Sequence, residues 1–149
     1  MVSQDQVKQQ LNSFYNIVEK AITQIGVDPS TARNEGGKWT LRKGKTLVWV
    51  RVDYVPREKR IYFEAAAPVM DIPENANADF FRKMLEMNIK VYGVAFGEYQ
   101  NKIYLRTIRE APGLDVSEAL SMILRVGNYA DYYSKELKKE NPAWIPTFS

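Results

Sequence analysis

Residues 46 to 67 read TLVWVRVDYVPREKRIYFEAAA: two stretches of strict alternation separated by Pro56-Arg57-Glu58-Lys59. Successive side chains of an extended strand point to opposite faces. In the first stretch Val48, Val50, Val52 and Tyr54 therefore share one face, and Leu47, Trp49, Arg51 and Asp53 share the other. In the second stretch Ile61, Phe63, Ala65 and Ala67 oppose Tyr62, Glu64 and Ala66. A sheet built from this pair has one uniformly apolar face and one mixed aromatic and charged face. The apolar face has to be buried by another layer, and the mixed face does not. This asymmetry restricts the chain to an antiparallel sheet covered on one side.

The covering layer is legible as helices. Val7, Leu11, Phe14, Val18, Ile22 and Ile25 recur in steps of three and four, which predicts a helix from Gln4 to Ile25, with Ser3 and Gln6 as a capping box and Gly26 as its left-handed stop. Residues 26 to 37, GVDPSTARNEGG, collect turn formers and read as a loop. Trp39 to Arg42 is a short strand, so three strands form a meander, and Pro68 to Asn77 reads as a connector with two prolines. Phe80, Phe81, Met84, Leu85 and Ile89 predict a second helix from Ala78 to Lys90 whose apolar stripe is buried, capped by Asn77. Residues 91 to 109, VYGVAFGEYQNKIYLRTIR, form a closing hairpin. There Gly93, Ala95 and Gly97 fall on one strand face with little bulk, which marks close approach of another element. Asp115 and Glu118 open a last helix, carrying Val116, Leu120, Ile123, Leu124, Ala130, Tyr133 and Leu137, that ends near Lys138. The expected architecture is a single α+β domain over residues 1–140, ordered α-β-β-β-α-β-β-α. A hydrophobic, proline-containing tail, residues 141–149, carries Trp144, Ile145 and Phe148.

What the chain lacks narrows its chemistry. It contains no cysteine and no histidine, which removes disulfides, thiolate nucleophiles, sulfur-ligated zinc and every triad that depends on imidazole. Glu64, Glu86 and Glu98 lie on different elements with no spacing that brings two carboxylates together. GVAFG lacks the lysine and hydroxyl residue of a phosphate loop. Asp71, Glu74, Asn75, Asn77 and Asp79 lack the glycine and closing glutamate of a calcium loop, so they read as helix-capping residues. The expectation is a non-enzymatic protein without cofactor or metal. MVSQDQVKQQ has neither a basic start nor an apolar core, and no apolar run is long enough to span a bilayer, so the expected location is the cytoplasm.

Phe81-Arg82-Lys83-Met84-Leu85-Glu86-Met87-Asn88, leading into Gly93-Val94-Ala95-Phe96-Gly97 and then Ile103-Tyr104-Leu105-Arg106 before an amphipathic last helix, resembles the YbjN family. That family shares its fold with the bacterial type III secretion chaperones. The resemblance implies a type III secretion chaperone-like α+β fold and a non-enzymatic module, chaperone-like or regulatory, that binds a protein partner. It also implies a possible homodimer, as is frequent among those chaperones. Secretion chaperones are usually acidic, whereas this chain has a pI near 9.0, which favours the YbjN-like branch.

The mixed sheet face supplies the candidate partner-binding residues. Trp49, Arg51, Tyr62, Tyr104 and Arg106 are of the types enriched where interfaces concentrate their energy. The other reading of the same face is that Trp49 and Tyr104 are capped by the tail, with Trp144 and Phe148 lying on them. From Lys38 to Arg60 eight basic residues stand against Asp53 and Glu58, a local net charge of +6 within an overall +3. The alternative function is therefore a nucleic-acid-binding surface made by Arg42, Lys43, Lys45, Arg51, Lys59 and Arg60, although no RNP-type aromatic motif accompanies them.

Overall fold

The computed structural model describes residues 3–140. Helix α1 (Gln4–Ile25) has its predicted bounds and caps. The Gln6 amide donates to Ser3 Oγ at 3.1 Å, the Ser3 amide donates to Gln6 Oε1 at 2.9 Å, and Gly26 closes the helix at φ +97°. The segment that reads as a loop contains one turn of helix, α2 (Pro29–Ala32). Its Asp28 side chain accepts from the Ser30 amide at 3.0 Å, and Pro29 has the φ needed for a first helical turn. The cap and the proline were both visible in the sequence. Their pairing was obscured by the density of turn formers around them.

Five strands follow: β1 (Lys38–Lys43), β2 (Thr46–Val55), β3 (Arg60–Asp71), β4 (Ala95–Tyr99) and β5 (Lys102–Glu110). They form one antiparallel sheet in the order β1-β2-β3-β5-β4. β3 runs four residues beyond the predicted strand and takes in Pro68, which sits opposite Tyr104. The ladder slips one residue between Pro68 and Met70. A bulge is where a strand tolerates a residue with no N–H to donate, so the proline kinks the strand without ending it.

Helices α1 and α4 (Val116–Glu140) lie over the apolar face and against each other. Beneath them Trp39, Val48, Val50, Phe63 and Leu105 are buried with Ile22 and Val126. The predicted period-two split is realised from Thr46 to Asp53 in β2 and from Ile61 to Pro68 in β3. At the start of α4 the Asp115 carboxylate accepts from the Glu118 amide at 2.8 Å, while the Glu118 carboxylate pairs with Arg109. A structural niche forms at the other end of the sheet. Trp39 Nε1 donates to Glu19 Oε2 at 3.2 Å, and the Arg33 guanidinium lies 5.0 Å from the Tyr15 ring and 5.5 Å from the Trp39 ring. Burial pushes the Tyr15 hydroxyl above its ordinary pKa, with Arg33 opposing that shift.

Helix α3 (Ala78–Lys90) has the predicted bounds and Asn77 cap but not the predicted burial. Phe80, Met84 and Met87 are buried, whereas Phe81, Leu85 and Ile89 face outward, Ile89 at 87% exposure. The helix packs beside edge strand β4 rather than over the sheet, so only one of its two apolar flanks meets the core. Its C-terminus is tied to β4 by Asn88, whose side chain accepts from the Phe96 amide at 2.6 Å and donates to the Phe96 carbonyl at 3.4 Å. One amide side chain thus replaces a neighbouring strand at that point.

The glycines of the hairpin are also redistributed. Gly93 lies before β4, not in it, at φ +72°, and a Cβ there would collide with the Arg125 guanidinium. Close approach therefore holds at Gly93. At Gly97 it does not: a Cβ would meet nothing within 4 Å among the described residues. Of the residues read as helix-capping, Asn77 is the cap, accepting from the Phe80 amide at 3.2 Å, whereas Asp71 lies at the end of β3, 3.8 Å from Lys102.

Candidate functional site

The face of the sheet opposite α1 and α4 carries the mixed side chains, and register fixes how they meet. Trp49 pairs with Ala66, Ala66 with Arg106, and Arg106 with Ala95, so one row across the sheet alternates a large side chain with a small one. In the neighbouring rows Arg51 pairs with Glu64, Glu64 with Ile108, and Tyr104 with Gly97. Ala66, Ala95 and Gly97 leave a low floor. Trp49, Tyr99, Tyr104 and Ile108 stand around it and line a shallow trough of about 800 Å³.

The rim is aromatic and held in place by ring contacts. Trp49 and Tyr104 lie 5.8 Å apart between ring centroids, and Tyr104 and Tyr99 lie 6.4 Å apart. Trp49 is 37% exposed and Tyr99 64% exposed, large apolar surfaces on a sheet face that no described element covers. One carboxylate organises the charge. Glu64 Oε2 accepts from Arg106 Nε at 2.5 Å, and Glu64 Oε1 lies 3.3 Å from an Arg51 guanidinium nitrogen. A guanidinium has five donors, so the clamp orients both arginines while leaving donors for a ligand's carbonyl or carboxylate oxygens.

Four of the five sequence-derived candidates meet in this trough: Trp49, Arg51, Tyr104 and Arg106. Tyr62 shares their face but lies further along β3, opposite Asp53 and Glu110 and outside the trough lining. Ile108 and Tyr99 were missed, although Ile108 continues the alternation through Tyr104 and Arg106. The small floor could be found only once the strand order placed Ala66 beside Arg106 and Gly97 beside Tyr104.

Both edges of the sheet carry local plugs. On β4 the plug is Asn88 at Phe96. On β1 the Asn34 amide donates to the Lys38 carbonyl at 2.7 Å, and the Asn34 side chain donates to Thr40 Oγ1 at 2.8 Å. Groups that would template an added strand are already engaged at these positions.

The basic segment does not converge on one patch. Lys45 lies at the β1–β2 turn and Lys59 at the β2–β3 turn, opposite ends of a ten-residue strand, roughly 30 Å apart at about 3.3 Å per residue. Arg60 is paired with Glu110 at 2.6 Å and Arg51 with Glu64. Among the described residues no three acidic side chains converge as metal ligands, and no helix is long and apolar enough to cross a membrane.

No protein-family model and no curated protein sequence matches the chain. Solved structures do. A chain of the ExsC–ExsE complex superposes with a TM-score of 0.63 at 18% identity, covering 84% of this chain and 93% of its own. A chain of the HopA1–SchA chaperone–effector complex gives 0.63 at 9% identity, covering 83% and 95%. A chain from the structure of the Yersinia pestis type III secretion chaperone SycH with a fragment of YscM2 gives 0.58 at 12% identity, covering 80% and 98%. The chain therefore has the α+β fold of the type III secretion chaperones, the fold that the resemblance implied.

Proposed function

We propose that this chain is a non-enzymatic, chaperone-like protein-binding module that takes a partner's extended segment across the open face of its sheet. The observation that carries this reading is the trough: an aromatic-rimmed sheet face that no described element covers, with a small-residue floor and two pre-oriented arginines, on a sheet whose edges are plugged at Phe96 and Lys38. Trp49 and Tyr104 supply apolar area at low entropic cost, and Arg51 and Arg106 supply donors for main-chain or acidic oxygens. That the three solved structures named above come from protein complexes, two of them described with a chaperone, supports a protein ligand. The test is panning of phage-displayed peptides against the full chain. Selected peptides should lose at least tenfold in affinity for Ala66→Arg, which fills the floor. Equal binding to that variant would refute the site.

A second copy of the chain is the occupant we assign to α3. Phe81, Leu85 and Ile89 form an exposed stripe at i, i+4 and i+8, extended by Tyr92 at 77% exposure. Asp79 lies at the helix N-terminus and Lys90 at its C-terminus, so two such helices packed antiparallel about a two-fold axis bring opposite charges together. Light scattering after size exclusion should give a dimer for the wild type and a monomer for Leu85→Asp. A monomeric wild type would remove this assignment.

A further inference from the structure

We infer that the trough selects a segment carrying an acidic side chain two positions from a large apolar one, with the acid held between Arg51 and Arg106. This rests on the reading of the trough as a site for an extended segment and names what that segment must contain. Three observations carry it. First, the clamp is unequal, with two guanidinium groups sharing one carboxylate. Glu64 Oε2 accepts from Arg106 Nε at 2.5 Å and Glu64 Oε1 lies 3.3 Å from Arg51 Nη2, so each carboxylate oxygen serves a different arginine. The Glu64 side chain is 16% exposed, against 43% for Arg51 and 52% for Arg106, so an approaching ligand meets the cations before the anion. Glu64 engages Arg106 through Nε and not through the two terminal nitrogens. Those two form the fork that takes a second carboxylate by parallel hydrogen bonds.

Second, the charge beside the clamp is positive and small. Lys38, exposed on β1, pairs in register with Arg51 and lines the trough with it. The other carboxylate of the lining, Glu98, is turned to the β4–β5 turn, where it accepts from the Asn101 amide at 3.1 Å. One acidic side chain matches this excess; a polyanion would also have to pass Glu64 and Glu98. Third, β3 sets the spacing. Glu64 and Ala66 are two residues apart on one face of the strand, about 7 Å at 3.3 Å per residue. An extended segment lying along β3 has the same repeat. Its acid over Glu64 therefore sets the side chain two positions away over Ala66, which has Trp49 on one side and Arg106 on the other and lies in the trough with Tyr104. Residues 141–149, whose Trp144 and Phe148 the sequence offers as a cap for Trp49 and Tyr104, lie outside the described residues. Glu64 thus positions both arginines and also opposes the charge they attract.

The test takes the panned peptides whose affinity falls with Ala66→Arg and resynthesises each with its Asp and Glu residues replaced by Asn and Gln. Fluorescence anisotropy with the full chain should show a loss of about tenfold or more on that replacement. Added salt should weaken the acidic forms and leave the amide forms unchanged. Arg51→Gln/Arg106→Gln should bind both forms alike. Glu64→Gln keeps an acceptor for Arg106 and removes the opposing charge, so it should bind the acidic forms about threefold tighter or more, with the amide forms unchanged. Weakening of both forms in Glu64→Gln would overturn the opposing role of Glu64 and leave it a structural one. Peptides that depend on the trough yet survive the amide replacement would overturn the inference and leave the trough reading standing. Finding no peptide sensitive to Ala66→Arg would overturn both. Displacement of the acidic peptides by a short oligothymidylate at equal concentration would overturn the choice of a carboxylate over phosphate.

Discussion

Asn88→Ala tests whether one side chain holds the end of α3 to the outer edge of β4. In the native structure the Asn88 amide engages both backbone groups of Phe96, at 2.6 Å and 3.4 Å, in a partly buried setting on the outer edge of β4. Truncation leaves the Phe96 N–H without its acceptor, a loss of about 1–3 kcal/mol. Alanine returns about 0.5 kcal/mol of helix propensity at the end of α3. The net cost is about 0.5–2.5 kcal/mol, or a fall in Tm of about 2–8 °C for a chain of this size. Asn88→Asp keeps an acceptor for the N–H but loses the donor to the carbonyl, so it should fall between the two. Urea unfolding gives the stability, and amide exchange locates it: Phe96 should exchange faster in the alanine variant than its neighbours on β5. A variant within about 0.3 kcal/mol of wild type, with Phe96 still protected, would show that the edge is satisfied by other means.

Gly37→Ala and Gly97→Ala should differ sharply, although neither glycine has a positive φ. At Gly37 a Cβ would run into the Tyr15 ring and lie 2.5 Å from the Val52 carbonyl oxygen, whose strand is also bonded to Gly37. We expect a loss of about 2–3 kcal/mol there from overpacking and a change within about 0.5 kcal/mol at Gly97, both read by urea unfolding. Acid should also weaken the helix caps. Asp28 is held below its ordinary value of 3.8 by the Ser30 hydroxyl and then the Ser30 amide, and Asp115 by the Glu118 amide and then the Ser117 hydroxyl. Because the folded pKa lies below the unfolded one, each contribution is present above pH 3.8 and is lost as pH falls through the folded value. The Asp28→Asn/Asp115→Asn variant should therefore show a smaller drop in urea midpoint between pH 5 and pH 3 than wild type.

The elements that sequence reasoning placed well are those whose signal is local. α1 and α3 were bounded to the residue because a cap, a stripe and a stop lie within one segment. The two faces of β2 and β3 followed from alternation alone. What escaped depended on neighbours distant in sequence. The bulge that carries β3 through Pro68 exists only against β5. The outward flank of α3 is exposed because the helix sits at the sheet's edge, which no periodicity encodes: Phe81 and Phe80 are adjacent, and only one meets the core. The site was half legible for the same reason. Trp49, Arg51, Tyr104 and Arg106 declared their common face, but the clamp on Glu64 and the low floor of Ala66, Ala95 and Gly97 required the order β2-β3-β5-β4. Asn88 and Phe96 both lie in the stretch quoted for the resemblance, but the hydrogen bonds between them depend on how α3 meets β4 and could not be read from it.

Amide hydrogen exchange on the full chain, alone and with a protein that co-purifies with it, tests the central claim most directly. The account predicts new protection over residues 47–53 of β2, 62–68 of β3 and 102–108 of β5, with loss of that protection in Trp49→Ala/Arg106→Glu. Protection confined to α1 and α4, with these strands unchanged, would contradict it.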